Sequence, residues 1–309
     1  MAKIKMSAQR NETIAQTFSA FLLSASARGV KDKTMETYTQ HFRAISKRLD
    51  TSLPIGELTE KNVDEMIAAM RKDGLSDTTI NSYTRTFKVF CSWCGQRGLT
   101  NINPPIYKAS ETVKEPYTDG ELHLLLKRPS ASCGFCEFRS WVIENFLLNS
   151  GCRAATVRNI QNQDVDIENR QILLRHTKNR KIQVIPLCSA MVDILGDYMK
   201  VRGGSGTDYL FCNEYGEMLS ENALRLSIAK YNRSRGVERT SIHCFRHTFA
   251  RKYLIDCGGD AFTLQRLMGH STLKMTKHYC AIFDADITKN YDNFSPLAQI
   301  NRQREKIRR

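Results

Sequence analysis

No stretch of this sequence approaches the roughly 20 apolar residues that a membrane span needs. The opening segment MAKIKMSAQRNE carries two lysines but no apolar run behind them, so it does not read as a secretory signal. These two absences lead us to expect a cytoplasmic protein. Internal repeats and low-complexity tracts are also missing, which argues against a solenoid and against a disordered tail protein. Acidic residues are in deficit: 32 Asp and Glu stand against 46 Lys and Arg, leaving a formal charge of +14. An excess of that size can hold a polyanion by displacing its counterions, and nucleic acid is the natural partner. The final eight residues, RQREKIRR, continue the trend with five basic residues against one Glu.

What is present is a chain of 309 residues, 41% hydrophobic and 25% charged, long enough for two domains with separate cores. Ten cysteines would suggest disulfides in a small secreted protein, which this is not. Two pairs have CxxC spacing, Cys91 with Cys94 and Cys133 with Cys136, the arrangement of half a zinc site. Cys91 and Cys94, however, fall in TRTFKVFCSWCGQRG, among Phe87, Phe90 and Trp93 at helical spacing. There we expect reduced cysteines filling a core, and no metal.

Residues 12 to 100 read as four helices parted by turns. The first spans Thr13 to Ala27, with Ile14, Phe18, Phe21 and Leu22 on one face and a stop near Gly29. The second runs from about Lys33 to Leu49. Thr59 caps the third, which ends at Gly74, and Ser76 or Asp77 opens the fourth. LTNINPPIYKASETVKEPYT, with three prolines, reads as a linker. Beyond it helices return over Asp119–Lys127 and Phe138–Ser150. QDVDIENRQILLRHTKNRKIQVIPL then breaks into β-rich runs suited to a small antiparallel sheet. Helices follow over Ser189–Val201, Ser220–Arg235, Ser241–Cys257, Ala261–Met268 and Leu273–Phe283. The expected fold is mainly α with one small antiparallel β-sheet. The expected boundaries are a helical domain over 1–101, a linker over 102–116, and a second domain with a C-terminal tail over 117–309.

Several segments carry reactive side chains. In TSIHCFRHTFARKYLIDCGG, capped by Ser241 or Thr240, the stripe Ile242, Phe245, Phe249 and Tyr253 reads as core. His243 and Arg246 lie three apart on the adjoining face, where their side chains can converge. His243 and His247 have i,i+4 spacing suited to a metal, but no Glu or third ligand accompanies them. In LMGHSTLKMTKHYC, a helix ends at Met268, Gly269 turns the chain, and His270 follows, with Tyr279 nine residues on. NSGCRAATVRNI places Arg153 at the opening of a helix, and TKNRKIQVIPL places Lys178 at a hairpin tip. Together these types suit phosphodiester cleavage. Arginines can hold non-bridging oxygens, histidines can move protons, a lysine can protonate the leaving oxygen, and a tyrosine can attack.

The order Arg153, Lys178, His243-Cys-Phe-Arg246, Gly269-His270, Tyr279 resembles the tyrosine recombinases of the phage integrase family, over nearly the whole chain. The resemblance implies a helical core-binding DNA-binding domain followed by a catalytic domain. It implies that Arg153 and Arg246 clamp the scissile phosphate, that His243 and His270 supply hydrogen bonds and proton transfer, and that Lys178 is the general acid. It implies that Tyr279 attacks phosphorus, giving a 3′-phosphotyrosyl link and a free 5′ hydroxyl, with strand exchange through a Holliday junction. It further implies double-stranded DNA as partner, a dimer on each site and a homotetramer on two, accessory DNA-bending or directionality factors, and no cofactor or metal. The tail after Phe283 is expected to work between protomers. Within the same chemistry, a type IB topoisomerase is the alternative; outside it, a DNA-binding regulator with a dead site. One position departs from the pattern: many members carry Glu three residues after the first Arg, where this chain has Thr156, and either the Thr hydroxyl or Asp164 is expected to substitute.

Overall fold

The computed structural model describes residues 12–107, 115–176, 182–273, 275–276, 295, 297–298 and 300. The chain divides after residue 112 into two compact units.

The first unit holds α1 (Ile14–Ala27), α2 (Asp32–Ile45), α3 (Glu60–Lys72) and α4 (Asp77–Gly95). Their starts follow from capping: the Thr13, Thr59 and Ser76 hydroxyls each accept a backbone N–H three residues on. The α2 helix is shorter than its periodicity suggested, ending at Ile45 with turns carrying the chain on to Leu49. The core is aromatic. Phe18 stacks on Phe42 with ring centroids 3.7 Å apart, and Phe90 and Trp93 of α4 meet Phe21 edge-on. Cys91 and Cys94 are buried in the same cluster, as their setting in the sequence led us to expect. The start of the proline-bearing stretch also belongs to this unit. Ile102 packs on its core, and Asn81 of α4 donates to the Tyr107 carbonyl and accepts its N–H.

The second unit is built round α6 (Phe135–Ser150), which packs against α5 (Asp119–Leu126), α8 (Ser189–Arg202), α9 (Glu221–Ser234) and α10 (Ile242–Arg251). The α6 helix begins a turn earlier than expected because Gly134 serves as its N-cap. Short α7 (Ala154–Val157) leads to a three-stranded antiparallel sheet of β1 (Val165–Asp166), β2 (Gln171–Leu174) and β3 (Gln183–Pro186), in that order. Ile172 pairs with Ile185 and both point into the core, as the period of two in a strand requires. The remaining short helix, α11 (Ala261–Leu267), follows α10.

The long helix expected over Ser241–Cys257 is not uniform. Its α-helical part ends at Arg251, and Lys252–Asp256 form a π-helical turn. Ser241 stands at the N-cap without a side-chain capping bond. The apolar stripe also divides: Phe245 enters the main core, whereas Phe249 and Tyr253 pack on a separate small cluster of Ala250, Leu264 and Met268. The entry to the unit is pinned to α10, since the Tyr117 N–H donates to the Thr248 hydroxyl at 2.8 Å.

Candidate active site

Three chain segments far apart in sequence meet at Arg246. This side chain projects inward from α10 and is 2% exposed. Its Nη1 donates to the Gly151 carbonyl at 2.7 Å, and its Nη2 donates to the Met268 carbonyl at 2.9 Å and to His270 Nε2 at 2.6 Å. A buried guanidinium is stable only with its N–H groups satisfied, and carbonyls at two helix ends supply the partial negative charge that does so. Gly151 ends α6 in the left-handed conformation, φ +58°, and Met268 ends α11. The helix termini therefore fix where the positive charge sits.

His270 follows Gly269, itself at φ +60°, and is buried. Its Nδ1 lies 2.8 Å from the Thr276 hydroxyl. Burial pushes the imidazole pKa down to about 4, with the charges of Arg246 and Arg153 adding to the shift. At neutral pH this histidine is uncharged.

Arg153 stands at the N-cap of α7, as its place after Gly151 suggested, and is half-buried. It lines a cavity of about 930 Å³ together with Thr156, the β3 residues Gln183 and Val184, and the turn residues Gly269 and His270. The β3 strand is tied to that turn by one side chain: Gln183 Nε2 donates to the carbonyls of Arg266 at 2.6 Å and Leu267 at 2.7 Å. A Cβ on Gly269 would come within 2.7 Å of Gln183 Oε1 and push that side chain aside, and the φ of +60° itself favours glycine.

The site residues expected from the sequence fall into three groups. Arg153 and His270 line the cavity, and Arg246 is held against His270 behind it. His243 is exposed near the start of α10, its ring 5.4 Å from that of buried His247, so it and Arg246 sit at different depths although three residues apart. Lys178 and Tyr279 lie outside the described residues. Of the two groups expected to stand in for the Glu, the Thr156 hydroxyl and Asp164, the carboxylate is engaged elsewhere. Its Oδ1 accepts from Arg175 Nε at 2.6 Å and its Oδ2 from the Gln161 N–H, which commits the carboxylate to the end of β2. Thr156 is buried and borders the cavity itself. Gln183 and Thr276 were not singled out from the sequence, because an uncharged side chain on a strand or a turn carries no pattern of its own. Gly151 was visible only as the residue before the Arg153 segment.

No group of three or more metal-ligating side chains is found among the described residues. Cys91 and Cys94 sit in the first unit, with burial pushing the Cys94 thiol up to about 12 and the Cys91 thiol higher still. Cys136 of the second pair lies 3.3 Å from the Glu214 carboxylate, which together with burial also raises its thiol.

The family model described as the phage integrase family matches residues 121–285, more than half of the chain. Tyrosine recombinase XerC of Shewanella amazonensis is 26% identical over 271 residues, covering 84% of this chain and 90% of that one. XerC of Neisseria meningitidis serogroup B is 24% identical over 297 residues, covering 93% and 97%. Among solved structures, the Tn1549 transposon integrase in complex with transposon right end DNA superposes with a TM-score of 0.74 at 23% identity, over 87% of this chain and 94% of that one. A lambda integrase dimer bound to a core site superposes with a TM-score of 0.72 at 17% identity, over 89% and 79%. The chain therefore belongs to the phage integrase family and is a tyrosine site-specific recombinase.

Proposed function

We propose that Arg153, Lys178, His243, Arg246, His270 and Tyr279 form one strand-transfer site on double-stranded DNA. The observation that carries this reading is the buried Arg246, held against His270 at the wall of a cavity that Arg153 also lines. One guanidinium lining the cavity and a second buried behind its wall suit a phosphodiester whose charge grows in the transition state. Tyr279 Oη attacks phosphorus as its proton passes to a site histidine, the bond from phosphorus to the 5′ oxygen breaks, and Lys178 protonates that oxygen. The product is a 3′-phosphotyrosyl ester and a 5′ hydroxyl. Attack by the 5′ hydroxyl of another strand reverses the step, so one ester replaces another and no nucleotide is consumed.

The first unit then serves as a core-binding domain, and the net charge of +14 supports a polyanionic partner. A dimer on each site and a tetramer on two, working through a Holliday junction, complete the reading. Support comes from relatives solved as a dimer on a core site and as a tetramer bound to a Holliday junction.

The test is a nicked, labelled DNA substrate resolved on a denaturing gel, with DNA binding followed by mobility shift. Wild type forms a covalent adduct in excess EDTA, because the charge is neutralised by side chains. Tyr279→Phe binds DNA unchanged and forms none. An adduct in the Phe variant, or a labelled peptide mapping to another tyrosine, sinks the assignment. Relaxation of supercoiled plasmid lacking any specific site would favour a topoisomerase.

A further inference from the structure

We propose that Thr276 is a positioning residue for His270: its hydroxyl accepts the Nδ1 proton and holds the ring plane, while the Arg246 guanidinium keeps Nε2 a hydrogen-bond acceptor. Two contacts carry the inference. Arg246 Nη2 stands 2.6 Å from His270 Nε2, and a guanidinium has donors only, so Nε2 must present its lone pair. Nδ1 then carries the proton and donates it to Thr276 Oγ1 at 2.8 Å. Thr276 is fully buried. Removing this buried acceptor weakens the hold on the Nδ1–H and on the ring plane. A β-branched side chain is also stiff about χ1, which lets it hold the ring plane as well as the proton.

Thr276 lies three residues before Tyr279, so the group that orients His270 belongs to the segment that bears the nucleophile. For its consequence in cleavage the proposal rests on the strand-transfer reading above. The tautomer itself can be read without DNA.

The experiment takes the ¹⁵N-labelled full chain, free of DNA at neutral pH, and records two-bond ¹H–¹⁵N correlations of the histidine rings. His270 is assigned by its loss in His270→Gln. Wild type and Thr276→Ser are expected to show a protonated Nδ1 and an unprotonated Nε2, with the Nδ1 proton slow to exchange with solvent, whereas Thr276→Val keeps the tautomer that Arg246 imposes and loses that slow exchange. In adduct formation on the nicked substrate, Thr276→Val is expected to slow by about tenfold with DNA affinity unchanged, and Thr276→Ser to keep near wild-type rate. A protonated Nε2 in wild type overturns the proposal, as does equally slow exchange in Thr276→Val or equal rates for Ser and Val. If Thr276→Val does not fold, Thr276→Ala replaces it in both readouts. A wild type that forms no adduct but shows the expected tautomer and slow exchange overturns the strand-transfer reading and leaves the positioning role standing.

Discussion

Gly151 and Phe249 approach so closely that no side chain fits between them. A Cβ built on Gly151 would run into the Phe249 ring, and the residue's φ of +58° disfavours every L side chain besides. The carbonyl of the same residue receives Arg246, so the close approach also sets the arginine. Gly151→Ala is therefore expected to cost about 2–4 kcal/mol, from the left-handed backbone and overpacking combined. Gly120→Ala in α5, where the added methyl meets nothing, should be neutral or stabilising by up to about 1 kcal/mol. Urea denaturation of the two variants makes the comparison. Equal stability would show that the Phe249 contact relaxes freely.

His270 makes stability depend on acid. Its folded pKa of about 4 lies below the ordinary histidine value, so between the two the unfolded chain binds the extra proton. The contribution is fully present above about pH 6.5 and is lost as pH falls through about 4, with a ceiling on the order of 3 kcal/mol. His270→Gln should flatten the slope of unfolding free energy against pH within that window and leave it unchanged between pH 7 and 8. An unaltered acid slope in the variant would mean that His270 is protonated in the native state near its ordinary pKa.

Much of this was legible in the sequence, and the part that was not has a physical reason. Caps at Thr59 and Ser76, and the helix-to-sheet change after Ser150, are local signals, and the structure follows them. Arg246 was visible as a residue type, but its partners Gly151 and His270 lie 95 and 24 positions away and no periodicity relates them. The π-helical turn after Arg251 escaped for a similar reason. It accompanies the packing of Tyr253 against Phe249 and over Gly259, which tertiary contact decides. Asp164 was misread because a carboxylate near a needed position looks available until its ion pair with Arg175 is known.

Glu144 is a cost carried inside the second unit. It is completely buried in α6, and neither carboxylate oxygen has a hydrogen-bond partner. Burial raises its pKa well above the usual range, outweighing the opposing pull of Arg235. The native chain thus keeps the proton while the unfolded chain releases it above about pH 4.5, so this group lowers stability as pH rises. Glu144→Gln keeps the shape and removes the titration. The variant should gain little at pH 5 and melt higher than wild type at pH 8, each kcal/mol gained raising Tm by roughly 2–4 °C. A gain equal at both pH values would show that Glu144 is ionised in the fold.

The cysteines should react in the order that burial sets. Cys188 and Cys257 are exposed, Cys133 and Cys136 partly so, and Cys91, Cys94, Cys152, Cys212 and Cys244 are buried. Alkylation needs both access and thiolate. Cys94 fails on both counts, with its thiol held at about 12, and Cys152 likewise, with its thiol pushed up to about 11. Short treatment of the native protein with iodoacetamide at pH 8, followed by peptide mass mapping, should label Cys188 and Cys257 first. The buried set should be labelled only on unfolding. The same map tests the helical setting of the first CxxC pair. Zinc on Cys91 and Cys94 would require two thiolates inside an aromatic core, where a charge is costly. We expect less than about a tenth of an equivalent of zinc after dialysis against EDTA, with the labelling order and melting temperature unchanged. Early labelling of Cys94, or loss of protection on chelation, would show that the pair is a metal site and that the core reading of α4 is wrong.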